Sequence, residues 1–189
     1  MLNMKYEKVL KFLEIIGSIF IITSLIELAY IILLNFTPFI LDGNTFLLTE
    51  FVYSSTMFPL SGTLLWLFVN ISIICFIILG IFIFKVSLKK NIESSPLAKL
   101  IIIIGMVSLL AAFVTMDFLV LLGKTNITST FTTIRFQTAL FSPLITSMMA
   151  AIFWFFFISL NTFFLLLALS ITAVGIKWNL LQEEAEKQK

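Results

Sequence analysis

The sequence predicts an all-α membrane protein, a four-transmembrane-helix bundle with a small extracellular β hairpin or sheet contributed by its two outer links. Three observations predict this class. Four apolar runs, Phe12–Leu34, Ser61–Phe84, Leu100–Leu122 and Ile145–Ile176, each reach or exceed the ~20 residues a helix needs to cross ~30 Å of hydrocarbon. Hydrophobic residues make up 60% of the 189 and charged residues only 12%, with a mean hydropathy of +1.15, more apolar surface than a soluble core could use. The cations are also unevenly placed. Lys5, Lys8 and Lys11 precede the first run, Lys85, Lys89, Lys90 and Lys99 lie between the second and third, and Lys177, Lys187 and Lys189 follow the fourth. Only Lys124 and Arg135 fall on the opposite side, so the positive-inside rule puts both termini in the cytoplasm and both long links outside. The whole chain, 1–189, reads as one four-span domain of the plasma membrane.

The first span is too long for the apolar stretch of a secretory peptide and contains Glu14 and Glu27, so it is expected to remain as an anchor. It ends at Asn35-Phe36-Thr37-Pro38. In the link that follows, Phe39-Ile40-Leu41 and Phe46-Leu47-Leu48 flank Asp42-Gly43-Asn44-Thr45, and an Asp-Gly pair between apolar runs signals a hairpin. The second outer link, Thr125 to Thr138, alternates Thr with Ile and Phe, a composition suited to a half-exposed strand. The two links are expected to pair into one small sheet or to lie as loops on the membrane. Four helices, a short inner link and a strand-bearing outer cap resemble the general plan of claudin-type proteins. The resemblance is architectural: the first outer link lacks the Trp and paired Cys of that family's signature, so it implies no residue role and no function. Asn35-Phe36-Thr37 and Asn126-Ile127-Thr128 are N-glycosylation patterns, one in each outer link, which makes Asn35 and Asn126 candidate acceptors on a candidate glycoprotein.

Ser94-Ser95-Pro96 and Ser142-Pro143 each place a capping hydroxyl before a proline, the pattern of a helix start, ahead of the third and fourth spans. On the fourth span Ser147, Trp154, Asn161, Ala168 and Gly175 recur every seventh residue, a helix-packing seam for left-handed crossing. Gly105, Ser108, Ala112 and Thr115 make a comparable small-residue face on the third span, with Asp117 pointing the other way. Beyond the fourth span Trp178 stands where an interfacial aromatic belongs, and the tail from Gln182 to Lys189 reads as a solvated terminus.

Missing residues exclude whole chemistries. There is no His, which removes imidazole metal sites, His-ligated haem and every triad with a His base. Cys75 is the only cysteine, so no intrachain disulfide or CxxC pair exists; it reads as a small buried apolar residue. No phosphate-cradling glycine motif occurs, and a net charge of +2 does not suggest nucleic acid as a partner. No catalytic motif and no cofactor is expected.

The costly residues inside the spans are Glu27 and Asp117, because an ionisable side chain at depth needs a task or a partner. Both lie a few residues below the outer boundary and could meet in one bundle. Thr23, Glu27 and Tyr30 follow helical spacing and make a polar stripe on the first helix; Asn70, on a face with Thr63 and Trp66, and Asn161 are the other intramembrane polar groups, suited to hydrogen bonds between helices. Glu27, Asp117, Thr23, Tyr30, Asn70 and Asn161 therefore form the candidate intramembrane polar site. An internal repeat is also visible in order but not in spacing: Glu27, Asn35, Pro59, Trp66 and Asn70 are echoed by Asp117, Asn126, Pro143, Trp154 and Asn161. The expected function is a non-enzymatic structural or accessory subunit, or an interaction protein, whose partners are membrane lipids and other membrane subunits or copies of itself. The alternative is an oligomeric channel or carrier for a proton, cation or small solute using Glu27 and Asp117.

Overall fold

A computed structural model of the chain describes residues 2–88, 94–128 and 133–187. It is mostly helical. Four helices are long and apolar enough to cross a membrane, α1 (Leu2–Asn35), α3 (Leu60–Ser87), α4 (Ser94–Lys124) and α6 (Met148–Lys187). Between α1 and α3 the chain forms β1 (Pro38–Leu41), β2 (Asn44–Leu47) and a five-residue helix α2 (Leu48–Val52); between α4 and α6 it forms β3 (Asn126–Thr128), β4 (Thr133–Arg135) and a five-residue helix α5 (Phe136–Leu140).

Each long helix buries one stripe whose steps alternate between three and four residues, the spacing of coiled-coil-like packing. On α6 the stripe runs Ala150, Trp154, Phe157, Asn161, Phe164, Ala168, Ile171, Gly175 and Trp178; on α3 it runs Gly62, Trp66, Val69, Ile73, Phe76, Gly80, Ile83 and Ser87. The remaining faces are apolar and exposed, as lipid requires. Cys75 lies on such a face, so it is an outward-facing thiol and not the buried filler expected from its setting.

The first link forms the hairpin expected around Asp42-Gly43, and the two links do not join into one sheet. Each makes its own antiparallel hairpin, with Pro38 opposite Leu47 in the first and Asn126 opposite Arg135 in the second. Asp42 and Gly43 form the first turn with φ of 51° and 80°, and two positive φ values make the type I′ turn whose twist suits a two-residue hairpin. The second link is not one strand but two short strands followed by α5. An isolated bridge between Phe39 and Thr146, with the Thr146 hydroxyl donating to the Pro38 carbonyl at 3.0 Å, ties the first hairpin to the segment ahead of α6. That segment delays the helix: Ser142-Pro143 forms a turn in which Ser142 O accepts from Ile145 N and Thr146 N, and α6 starts at Met148. The serines of the other proposed cap, Ser94 and Ser95, are already helical. At the far end α6 continues through the tail to Lys187, with Asn179 Nδ2 donating to Glu183 Oε1 at 2.8 Å, and Trp178 is buried instead of facing an interface.

The two halves of the chain are copies. One shift of 88 residues, the one that carries Thr37 to Thr125, superposes their hydrogen bonds. Thr37 and Thr125 each donate from N to a carbonyl three residues back, Leu34 and Leu122, and from Oγ1 to one four back, Leu33 and Leu121. Each then accepts from the first residue of the short helix, Leu48 N at 2.9 Å and Phe136 N at 2.8 Å. The same shift maps β1–β2 pairing onto β3–β4 pairing, the start of α3 onto the start of α6, and the buried positions from Gly62 to Ser87 named above onto those from Ala150 to Gly175. Of the pairs suggested by sequence order only Trp66 and Trp154 hold; Glu27 corresponds to Thr115 and not Asp117, and Asn161 corresponds to Ile73 and not to Asn70's position.

By contact density the chain forms two compact units. The terminal unit holds 1–24, 74–113 and 162–189; the hairpin unit holds 25–73 and 114–161. In the terminal unit Phe76 and Phe164, which the shift makes equivalent, stack at 4.3 Å with 7° between their planes, and Phe20 tilts against Phe164 at 5.1 Å. Gly17 and Gly105, also equivalent, let helices meet at backbone distance: a Cβ at Gly17 would lie 2.7 Å from Phe84 N, and one at Gly105 2.7 Å from Thr172 N. In the hairpin unit Tyr30 stacks on Phe156 at 5.7 Å and its counterpart Phe118 on Phe68 at 5.3 Å, so the duplication extends to contacts between helices.

Candidate functional site

The buried stripe of α1, which includes Leu13, Ile16, Phe20, Ser24, Glu27, Ile31 and Leu34, carries Glu27 into the interior of the hairpin unit. Its exposure is 0%, and neither Oε1 nor Oε2 has a hydrogen-bond partner. Asn161 on α6 is likewise 0% exposed with both Oδ1 and Nδ2 unpartnered. The indole Nε1 atoms of Trp66 and Trp154 share that condition. Their rings stand edge-on to Phe136, at 6.4 Å for Trp66 and 6.0 Å for Trp154, so α5 supplies the apolar block that holds both. A buried polar group without a partner costs more than a lost contact, and with the Oδ1 of Asn35 this unit has five groups carrying such atoms among the described residues.

Their relative heights follow from ring contacts. α1 and α6 run in opposite directions, and Tyr30 meets Phe153 and Phe156, both at 5.7 Å. Three residues before Tyr30, Glu27 lies about 4.5 Å nearer the terminal end, level with the turn of α6 that starts at Phe157. Asn161 closes that same turn.

The other members of the predicted site are placed differently. Asp117 does not share an interior with Glu27. It is exposed on α4, on a face made by Leu110, Phe113, Val114, Val120 and Leu121, all exposed, while the small face Gly105, Ser108, Ala112 and Thr115 is buried. Asn70 does not bond to another helix: its Nδ2 donates to the Trp66 carbonyl of its own helix at 2.7 Å. Thr63, on the same face, donates to the Val52 carbonyl at 2.7 Å and so anchors α2 to α3. Thr23 is buried beside Ser24, whose hydroxyl donates to the Phe20 carbonyl at 2.6 Å, and Tyr30 is half-buried between its two phenylalanines. Of the packing seam, Trp154, Asn161, Ala168 and Gly175 are buried and Ser147 is half-buried. Asn126 is exposed in β3, and Asn35 ends α1 with its Oδ1 buried.

Sequence reasoning missed the two indoles as unpartnered polar groups and did not place Asn161 within about one helical turn of the height of Glu27. The seventh-residue seam that carries Trp154 and Asn161 was the available signal; the partner helix was not readable from it. Compared with known protein families, curated proteins and solved structures, the chain finds no match.

Proposed function

We propose that this multi-pass membrane protein is a non-enzymatic structural or accessory subunit, an interaction protein of a plasma-membrane complex whose two termini lie in the cytoplasm. Asp117 is the observation that carries the reading. A carboxylate set among five exposed apolar side chains, about 10 Å from the end of its helix at Lys124, is costly against lipid and is relieved by a polar group from another chain. Glu27, the carboxylate buried within the spans, lies on a different helix, and Asp117 has no hydrogen bond or ion pair among the described residues.

An oligomeric channel or carrier for a proton, cation or small solute is the second reading, and the buried Glu27 favours it. The stacked Phe76 and Phe164 with Phe20 fill the interior of the terminal unit, so a route within one chain would have to open that aromatic packing. Gentle extraction followed by native mass measurement separates the readings. The subunit reading expects an assembly with other polypeptides that dissociates in Asp117→Leu while the variant's own thermal transition is kept. A lone chain or a homo-oligomer indifferent to Asp117→Leu would overturn it, and flux through Glu27→Gln protein would then decide the second.

A further inference from the structure

The duplication supplies an internal control for the interior of the hairpin unit. At equivalent inward positions of its spans the copies are both apolar at Ile31 and Leu119, Leu34 and Leu122, Trp66 and Trp154, and Val69 and Phe157. Three positions depart from this pattern, each with an unpartnered buried polar atom, and one of them, Asn35 opposite Gly123, lies at the outer end of α1. Glu27 stands opposite Thr115 in the register of the repeat, and Asn161 opposite Ile73. The departures at Glu27 and Asn161 sit on α1 and α6, helices in ring contact through Tyr30, Phe153 and Phe156, and within about one helical turn of the same height.

Their chemistry narrows the ligand. Glu27 offers two acceptors, Asn161 one acceptor and a two-hydrogen donor, and the indoles of Trp66 and Trp154 one donor each, all unpartnered. The unit's basic residues, Lys124 and Arg135, are exposed at the end of α4 and in β4, so no cation among the described residues of this unit balances Glu27. A single carboxylate is matched by a single positive charge, whereas the indoles lie nearer the outer end of the unit: the Trp154 ring is 3.8 Å from the Cβ position of Gly123, about 12 Å along α4 from the Glu27 counterpart Thr115.

We propose that Glu27 and Asn161 form an intramembrane binding site for a small monovalent cation. The cation sits against the Glu27 carboxylate and the Asn161 carbonyl oxygen. The site does not depend on the subunit reading, since a subunit or a carrier could hold it.

The repeat also provides the variants. Glu27→Thr and Asn161→Ile each install the residue that the other copy already accommodates, so both are expected to fold, with thermal transitions equal to or above wild type, because removing an unpartnered buried polar group is neutral or stabilising. Full-length protein in lipid nanodiscs is treated with a membrane-soluble carbodiimide, and labelling of Glu27 is followed by intact mass and peptide mapping. Sodium chloride at about ten times the dissociation constant is expected to slow labelling about tenfold relative to choline chloride of equal ionic strength, and Asn161→Ile to abolish most of that protection. Equal labelling rates in sodium, potassium, lithium and choline chloride would overturn the proposal and leave a hydrogen-bonded acid with water alone. If the reagent does not reach Glu27, the salt dependence of the thermal transition decides: a rise in an alkali chloride over choline that vanishes in Glu27→Thr supports the site, and identical transitions in all salts overturn it.

Discussion

Single residues in this protein are governed by what their helix face meets. Gly105 and Gly123 are both glycines of α4, yet their faces differ. A Cβ at Gly105 would lie 2.7 Å from Thr172 N and 2.8 Å from Thr172 Cα, backbone that cannot step aside, whereas one at Gly123 would meet the end of the Gln137 side chain at 3.3 Å. Gly105→Ala is therefore expected to destabilise by about 1–3 kcal/mol through overpacking. Gly123→Ala should be close to neutral, and thermal denaturation of the two variants in one detergent makes the comparison. A similar loss in both would show that these contacts are looser than described. Asn70 and Cys75 make the same point about faces: an amide expected to bridge helices caps its own, and a thiol expected inside lies outside.

At the scale of elements, the long helices are held by stripes whose three-and-four spacing meets equivalent stripes at aromatic and glycine contacts. Phe76 on α3 and Phe164 on α6 are the centre of this arrangement, nearly parallel at 4.3 Å and both 0% exposed. Replacing either with Ala is expected to cost about 3–5 kcal/mol, and a double-mutant cycle should return a coupling of about 0.5–1.5 kcal/mol for the ring pair. Additivity of the two losses would indicate that each ring packs independently. The hairpins owe their form to different local signals. Asp42-Gly43 sets the turn of the first through its positive φ values, and Thr37 and Thr125 close both links by accepting from the first residue of the following short helix.

For the whole molecule the duplication sets the chain direction: each copy is a helix, a hairpin, a short helix and a second helix, so each begins and ends on one side and the hairpins share the other. The positive-inside expectation puts the ends of each copy in the cytoplasm, which surface labelling tests. In a Cys75→Ala background, Asn44→Cys is expected to react with an impermeant maleimide on intact cells, and Lys8→Cys only after permeabilisation. The reverse pattern would invert the topology and with it the cytoplasmic assignment of the termini.

The spans were legible from composition because lipid enforces long apolar helices, and the seventh-residue spacing on the fourth span named a face that is buried at Trp154, Asn161, Ala168 and Gly175. Glu27 as a costly group was legible for the same reason. The exposed setting of Asp117, the bonding of Asn70 to its own helix, the separate hairpins and the delayed start of α6 were decided only by tertiary structure. So was the register of the repeat, since sequence order aligned Glu27 with Asp117 while hydrogen bonds and burial align it with Thr115. The physical reason is that periodicity defines a face on one helix, but which face meets which neighbour, and at what height, is set by packing between helices that no single stretch of sequence contains.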